Sequence, residues 1–252
     1  MAGEEYVQSL ARGLEVLRAF DAAHPRQTLS EVAASVGLTR ATARRFLLTL
    51  VELGYLRSDG KLFSLTPRVL ELGYGYLSGL TFPEIAQPHL ERLSAAVHES
   101  TSASILDGTD IVYVARVPVQ RIMAVSVGIG TRFPASATSM GRALLAGLGA
   151  EERSAHLAAE LPTFTERTIT ARDELMAELD RVAAQGWALV DQELESGVRS
   201  LAAPIHGRDG TVIGAINIAA RAEGPAEAFL ANMLPDLRAA ALVVESDLAA
   251  SG

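Results

Sequence analysis

Residues 28–50, TLSEVAASVGLTRATARRFLLTL, restrict the folds open to this chain more than any other stretch, because they spell two short helices and a tight turn. Thr28-Leu29-Ser30-Glu31 has capping-box spacing: the Thr28 hydroxyl can accept from the backbone N–H three residues on, and Glu31 can reach back. A helix therefore begins here, with Leu29, Val32, Ala33 and Val36 on one face, and Gly37 stands where a helix end needs positive φ. Thr39 is placed to cap a second helix whose inward positions are Ala43, Phe46, Leu47 and Leu50. Its opposite side carries Ala41, Thr42, Arg44 and Arg45, short-chained and cationic. The small Ala33 lets the two helices cross closely, so the pair has the recognition-helix arrangement of a helix-turn-helix. The plainer alternative is a helical hairpin with a solvated basic face.

The flanks complete that unit. The pattern over 9–21 predicts a helix with Leu10, Leu14, Leu17 and Phe20 as its apolar stripe. After Gly54, residues 55–65 read as two short strands around Asp59-Gly60, a wing with Lys61 at its tip. On this reading Thr42, Arg44 and Arg45 reach the major groove, with Arg40 and Ala41 in the same turn. Ser30 and Thr39 face phosphates, Lys61 faces the flanking backbone, and Thr28 belongs to the same DNA-binding set. Thr66-Pro67 opens a helix over 67–80 with Pro at its first position. Its apolar residues fall on more than one face, which predicts a linker helix that also packs on a second subunit. The domain boundary is placed at Thr81-Phe82-Pro83.

Length and charge agree with two domains. The 252 residues carry a formal net charge of −8, unevenly divided: residues 1–66 hold 8 Lys+Arg and 7 Asp+Glu, a net +1, while residues 67–252 hold 14 and 23, a net −9. A DNA reader with a larger acidic domain fits that split, since cations at phosphates dominate affinity for DNA. There is no cysteine, which excludes disulfides, thiol catalysis and Cys-ligated metal. The acidic N-terminus and the absence of a long apolar run predict a cytoplasmic chain without a membrane partner. Beyond residue 83 the order is helix, strands (102–107, 111–117, 122–127), helices (138–148, 151–160, 172–185), strands (187–191, 200–206, 212–220) and a closing helix over 225–249. That order predicts an α+β domain built on one mainly antiparallel sheet flanked by helices.

No catalytic constellation is found. His24, His89, His98, His156 and His206 are scattered without ligand spacing, Gly128-Ile129-Gly130 lacks the third glycine of a phosphate loop, and Ser139-Met140-Gly141 lacks the first glycine of a nucleophile elbow. No cofactor or metal is expected, and the chain is read as a non-enzyme. The second domain instead gathers groups suited to a small acid. Ser136, Thr138 and Ser139 precede or open the helix containing Arg142, and a helix start with hydroxyls and free N–H groups favours a carboxylate. Arg121, Arg132 and Arg199 are further candidates for carboxylate capture. Ser200 and Asn217 alternate with apolar residues on strands, and an inward Asn needs a partner or a ligand.

The segments SLARGLEVLRAF, LSEVAASVGLTRATARRFLLTLVELGYL, GTRFPASATSMGRALLA and GWALVDQELESGVRSLAAPIHGRDGTVIGAINIA together resemble the IclR family of bacterial transcriptional regulators. The resemblance implies a winged helix-turn-helix over 1–66, a dimerising linker helix over 67–82 and a GAF-like effector domain over 83–252, assembled as a homodimer or dimer of dimers. QRIMAVSVGIGTRFPASATSMGRALLA looks like the branch that controls aromatic acid degradation through the β-ketoadipate pathway, which suggests an effector such as β-ketoadipate or protocatechuate. Family pocket positions carry over to Ile122, Ser139, Met140, Ser200, Asn217 and Ala219. Members with a smaller acid tend to have glycine and alanine at the first pair, Ser139 and Met140, and serines at Asn217 and Ala219, which argues against a glyoxylate-like ligand. The family both activates and represses, so RNA polymerase is a partner in the activating case. The expected function is ligand-responsive regulation at a double-stranded DNA operator. Its rivals are another small-acid pathway, an enzyme carrying a DNA-binding head, and an effector domain that serves only assembly.

Overall fold

The computed structural model describes residues 6–21, 23–72, 81–119 and 127–251. The chain divides into two compact units, residues 1–79 and 80–252. In the first, α1 (Gln8–Arg18), α2 (Leu29–Ser35) and α3 (Arg40–Glu52) combine with β1 (Gln27–Thr28), β2 (Leu56–Ser58) and β3 (Leu62–Leu65). Val16, Leu17, Phe20, Val32, Leu47, Leu50, Leu56 and Phe63 close its core. The expected hairpin wing is present, with Leu56 opposite Leu65 and Ser58 opposite Phe63. A third strand joins it: Gln27 and Thr28 pair with Phe63 and Leu62. Two residues are too short for a strand pattern to show in sequence.

The apolar stripe expected on α1 is only half right. Leu17 and Phe20 are buried, but Leu10 is 64% and Leu14 49% exposed, and Val16 takes the core position instead. Leucines at i and i+4 satisfy helical periodicity equally well on an outer face, so spacing alone could not choose between them. After the wing, Thr66 Oγ1 accepts from Arg68 N at 3.3 Å and opens a 3-10 turn, Pro67–Leu70. The rest of the expected linker helix, 73–80, lies outside the described residues.

The second unit is one antiparallel sheet between two helical layers. It contains α4 (Thr81–Val97), β4 (Ser100–Asp107), β5 (Asp110–Val117), β6 (Arg132–Pro134), α5 (Ser139–Ala146), α6 (Ala150–Ala155), α7 (Arg172–Gln185), β7 (Ala188–Asp191), β8 (Val198–His206), β9 (Val212–Arg221) and α8 (Ala226–Ala250). The strand order is β6-β5-β4-β9-β8-β7. Period-two alternation decides which layer each residue serves. Leu201, Ala203, Ile205, Ile216 and Ile218 pack with Phe82, Leu90 and Leu93 of α4 and Leu237 and Val244 of α8. Ala188, Ala202 and Ala215 pack under Met140, Leu144 and Leu145 of α5 and Leu175 and Leu179 of α7. The small residues on this second face leave room beneath α5.

Two differences from the sequence expectation matter. Helix α4 includes Thr81 and Phe82, two residues before the expected start at Pro83. Strand β6 was not foreseen, being three residues long, and the strand expected over 122–127 falls almost wholly outside the described residues.

Candidate functional site

The first unit carries the residues that the sequence assigns to a DNA groove. Thr28 caps α2 as its spacing requires: Thr28 Oγ1 accepts from Glu31 N at 3.3 Å, and Glu31 Oε2 accepts from Thr28 N at 2.7 Å. The Thr28 N–H and hydroxyl together hold the Glu31 carboxyl below its ordinary value. Thr39 Oγ1 accepts from Thr42 N at 3.2 Å, which fixes the start of α3. With Ala43, Leu47 and Leu50 inward, Arg40, Ala41, Arg44 and Arg45 are exposed and Thr42 is half-buried. Ser30 and Lys61 are also exposed. At the wing tip Asp59 Oδ1 accepts from Leu62 N at 2.8 Å and Lys61 N at 3.0 Å, and these two bonds, helped by the Arg26 guanidinium, keep its carboxyl low. The turn is thus held from within, leaving the Lys61 side chain to solvent.

The second unit holds a cavity of about 290 Å³ between the sheet and the start of α5. That is near the lower end of the range of roughly 300 to 1,000 Å³ typical of small-molecule sites. Thr138, Ser139, Met140, Ser200, Asn217 and Ala219 all line it, with Tyr113, Arg116, Phe133, Ala137, Phe164, Val190, Leu194, Glu195 and Val198. Thr138 Oγ1 caps α5 by accepting from Gly141 N at 3.1 Å, so the N–H groups of the helix's first two residues have no partner within the helix. Ser139 Oγ lies 2.6 Å from Ser200 Oγ, which accepts from Asn217 Nδ2 at 2.9 Å. Tyr113 and Phe133 meet edge to face, with ring centroids 5.9 Å apart. Burial pushes the Tyr113 phenol up to about 12, against a smaller pull from Arg116, so it stays a neutral donor across the physiological range.

The arginines do not follow the sequence expectation. Arg142 is 1% exposed and does not line the cavity. Its Nη1 donates to Glu193 Oε1 at 2.7 Å and its Nε to the Ser136 carbonyl at 2.9 Å, so Ser136 too serves this buried anchor instead of the cavity. The partner carboxylate is 51 residues away, which no local pattern displays. Arg132 pairs with Asp107 at 2.6 Å and with Asp110 at 3.2 Å, and Arg199 pairs with Asp191 at 2.8 Å. Arg121 and Ile122 lie outside the described residues.

Among the described residues the cation that lines the cavity is Arg116, a position the sequence did not single out. Strict alternation along β5 puts Tyr113 and Arg116 on opposite faces. The β4 partners show why they share one: Ala103 faces Ala115 but Ser104 faces Tyr113, so Val114 is an extra, bulged residue. The bulge turns Arg116 to the side of Asn217, and Arg116 Nη1 donates to Ser102 Oγ at 3.2 Å on the strand between them. Burial lowers the Arg116 pKa, but an arginine remains charged near neutrality. Among the described residues no group of three or more His, Asp or Glu is placed to hold a metal ion, and no helix is long and apolar enough to cross a membrane.

Comparison with known proteins accounts for both units. The IclR helix-turn-helix domain matches residues 9–60, and the C-terminal domain of the bacterial transcriptional regulator IclR matches residues 74–246. The Pca regulon regulatory protein of Pseudomonas putida is 43% identical over 85% of this chain and 74% of its own length. A crystal structure of a transcriptional regulator from Rhodococcus sp. RHA1 is 59% identical, covering 98% of this chain and all of that one, with a TM-score of 0.86. An IclR homolog from Microbacterium hydrocarbonoxydans, crystallised with 4-hydroxybenzoate, is 28% identical over 96% of this chain and 100% of its own, with a TM-score of 0.84. With both domains matched in order and the fold shared along its length, this chain belongs to the IclR family of bacterial transcriptional regulators.

Proposed function

We infer that this regulator senses a small acid of aromatic catabolism in the cavity beneath α5 and converts its binding into a change of operator affinity. The observation that carries the reading is the convergence of Thr138, Ser139, Met140, Ser200, Asn217 and Ala219 with Arg116 around one cavity. Hydroxyls, an amide and a guanidinium among apolar walls are what a small carboxylic acid requires. The Pca regulatory relative and the homolog complexed with 4-hydroxybenzoate support that ligand class. β-Ketoadipate and protocatechuate are the acids the sequence suggests.

The division into a DNA-binding domain over 1–66, a linker over 67–82 and an effector domain over 83–252 belongs to the same proposal. So do the DNA contacts of Thr28, Ser30, Thr39, Arg40, Ala41, Thr42, Arg44, Arg45 and Lys61. The exposed Tyr6, Leu10 and Leu14 on and before α1 support self-association, because a contiguous apolar stripe in water favours a partner. Two heads would then read half-sites about one helical turn, ~34 Å, apart.

A thermal-shift panel of small aromatic and aliphatic carboxylic acids tests the sensing step. An acid at ~100 times its Kd should add about 2.7 kcal/mol of stability. If no acid in the panel moves the transition, the cavity is not an effector site and the domain serves assembly alone.

A further inference from the structure

We propose that Arg68 is a positioning residue for the recognition helix: it clasps the first turn of the linker to the C-terminal end of α3, so that the two turn as one piece. The inference rests on the reading of α3 as the helix that meets DNA.

A helix ends on carbonyls that no helical N–H can reach. At the end of α3 the start of the linker supplies donors. Arg68 Nη1 donates to the Leu53 carbonyl at 2.9 Å, and Thr66 Oγ1 donates to the Gly54 carbonyl at 2.6 Å. Thr66 N donates to the Tyr55 carbonyl at 2.9 Å. The guanidinium carbon of Arg68 lies 5.4 Å from the centre of the Tyr55 ring, and Nε donates to Glu71 Oε2 at 3.3 Å, further along the linker. Gly54 keeps the approach open: it holds φ +82°, and a Cβ there would come within 3.3 Å of Arg68 Nη1. A cation is favoured at a helix C-terminus. A flat guanidinium can also bond a carbonyl and a carboxylate at fixed angles while lying over a ring, a combination that an ammonium does not reproduce.

The clasp sits at the opposite end of α3 from Thr39, Arg40, Ala41 and Thr42. The helix has 13 residues. That makes it a rod of about 20 Å, and tilting it by ~10° would move the far end by about 3 Å, enough to break a hydrogen bond to a base. Phosphates carry no sequence information, whereas base edges are read only by groups placed against them in the groove. Holding α3 at its end therefore acts on sequence preference more than on total affinity.

Full-length Arg68→Ala and Arg68→Lys test this on two duplexes, one that the natural protein selects from a random pool and one of scrambled sequence. Hydrogen exchange is followed by mass spectrometry on the same proteins. Both variants should lose about tenfold in preference for the selected duplex, with affinity for the scrambled one kept within about twofold. Amides within 66–70 should exchange faster, while those of α1 and α2 keep their natural rates and show that the unit is folded. If Lys restores what Ala loses on both duplexes alike, Arg68 is a phosphate contact and the clasp is overturned. Unchanged preference in both variants overturns it too, as does faster exchange throughout α1 and α2, the mark of a general stabiliser. The double variant R44A/R45A reports on α3 itself: if it weakens the selected duplex while the Arg68 variants do not, the clasp falls and the reading of α3 stands. If the natural protein selects no duplex, or the double variant binds the selected one unchanged, that reading fails and the inference fails with it.

Discussion

Arg142 and Arg116 differ less in chemistry than in what the fold places opposite them. Arg142 faces Glu193, whose Oε2 also accepts from Ile169 N at 3.1 Å, so one ion pair ties α5 to two loops behind the cavity. Removing one member of a buried pair strands the other. Arg142→Ala should therefore cost about 3 to 5 kcal/mol in denaturant unfolding of the effector unit. A loss within the ordinary surface range of ~0.5 kcal/mol would show that the pair contributes little. Tyr113 makes a pH prediction of definite sign. Its phenol is held near 12 when folded, against 10.0 as reference. Below pH 10 both states are protonated and nothing is lost. As pH rises from 10 toward 12 the unfolded chain ionises first, so stability should fall by roughly 2 to 3 kcal/mol. Tyr113→Phe should flatten that fall, and an unchanged alkaline slope in the variant would assign it to other groups.

Among the elements, α3 and α5 are the ones proposed to meet DNA and the acid, and both starts were legible in the sequence. Thr39 and Thr138 each accept from the N–H three residues on, at 3.2 Å and 3.1 Å, as a local capping pattern prescribes. Local rules suffice where the interaction closes within a turn. They fail where the deciding contact is remote. The Val114 bulge depends on pairing with β4, Glu193 is distant from Arg142, and the buried side of α1 is set by packing against α3 rather than by its own periodicity. The same distinction marks Gly141, whose role appears only in three dimensions: a Cβ there would strike the backbone of Ala135. Gly141→Ala should destabilise the effector unit by about 1 to 3 kcal/mol and loosen acid binding, because the turn before α5 must move. Unchanged stability and affinity would mean the turn yields without cost. On α3, Arg44→Ala should weaken operator binding by ~1 to 3 kcal/mol if the side chain reads a base, and otherwise lower the salt slope by ~1. An operator titration at several salt concentrations that moves neither quantity would take Arg44 off the DNA face.

Over the whole molecule, a nearly neutral first unit carries exposed arginines and a strongly acidic second unit carries the cavity. For the acid to regulate, the two must be coupled, since a ligand that binds both DNA-competent and incompetent forms equally changes nothing. Coupling is reciprocal: whatever factor the acid imposes on operator affinity, the operator must impose on affinity for the acid. The direct measurement is the affinity of the full-length protein for its operator with and without a saturating acid, paired with the affinity for that acid with and without operator. The account predicts two shifts of equal factor, of about 5- to 150-fold if the coupling is of ordinary size. An acid that binds the cavity while both affinities stay the same would contradict it.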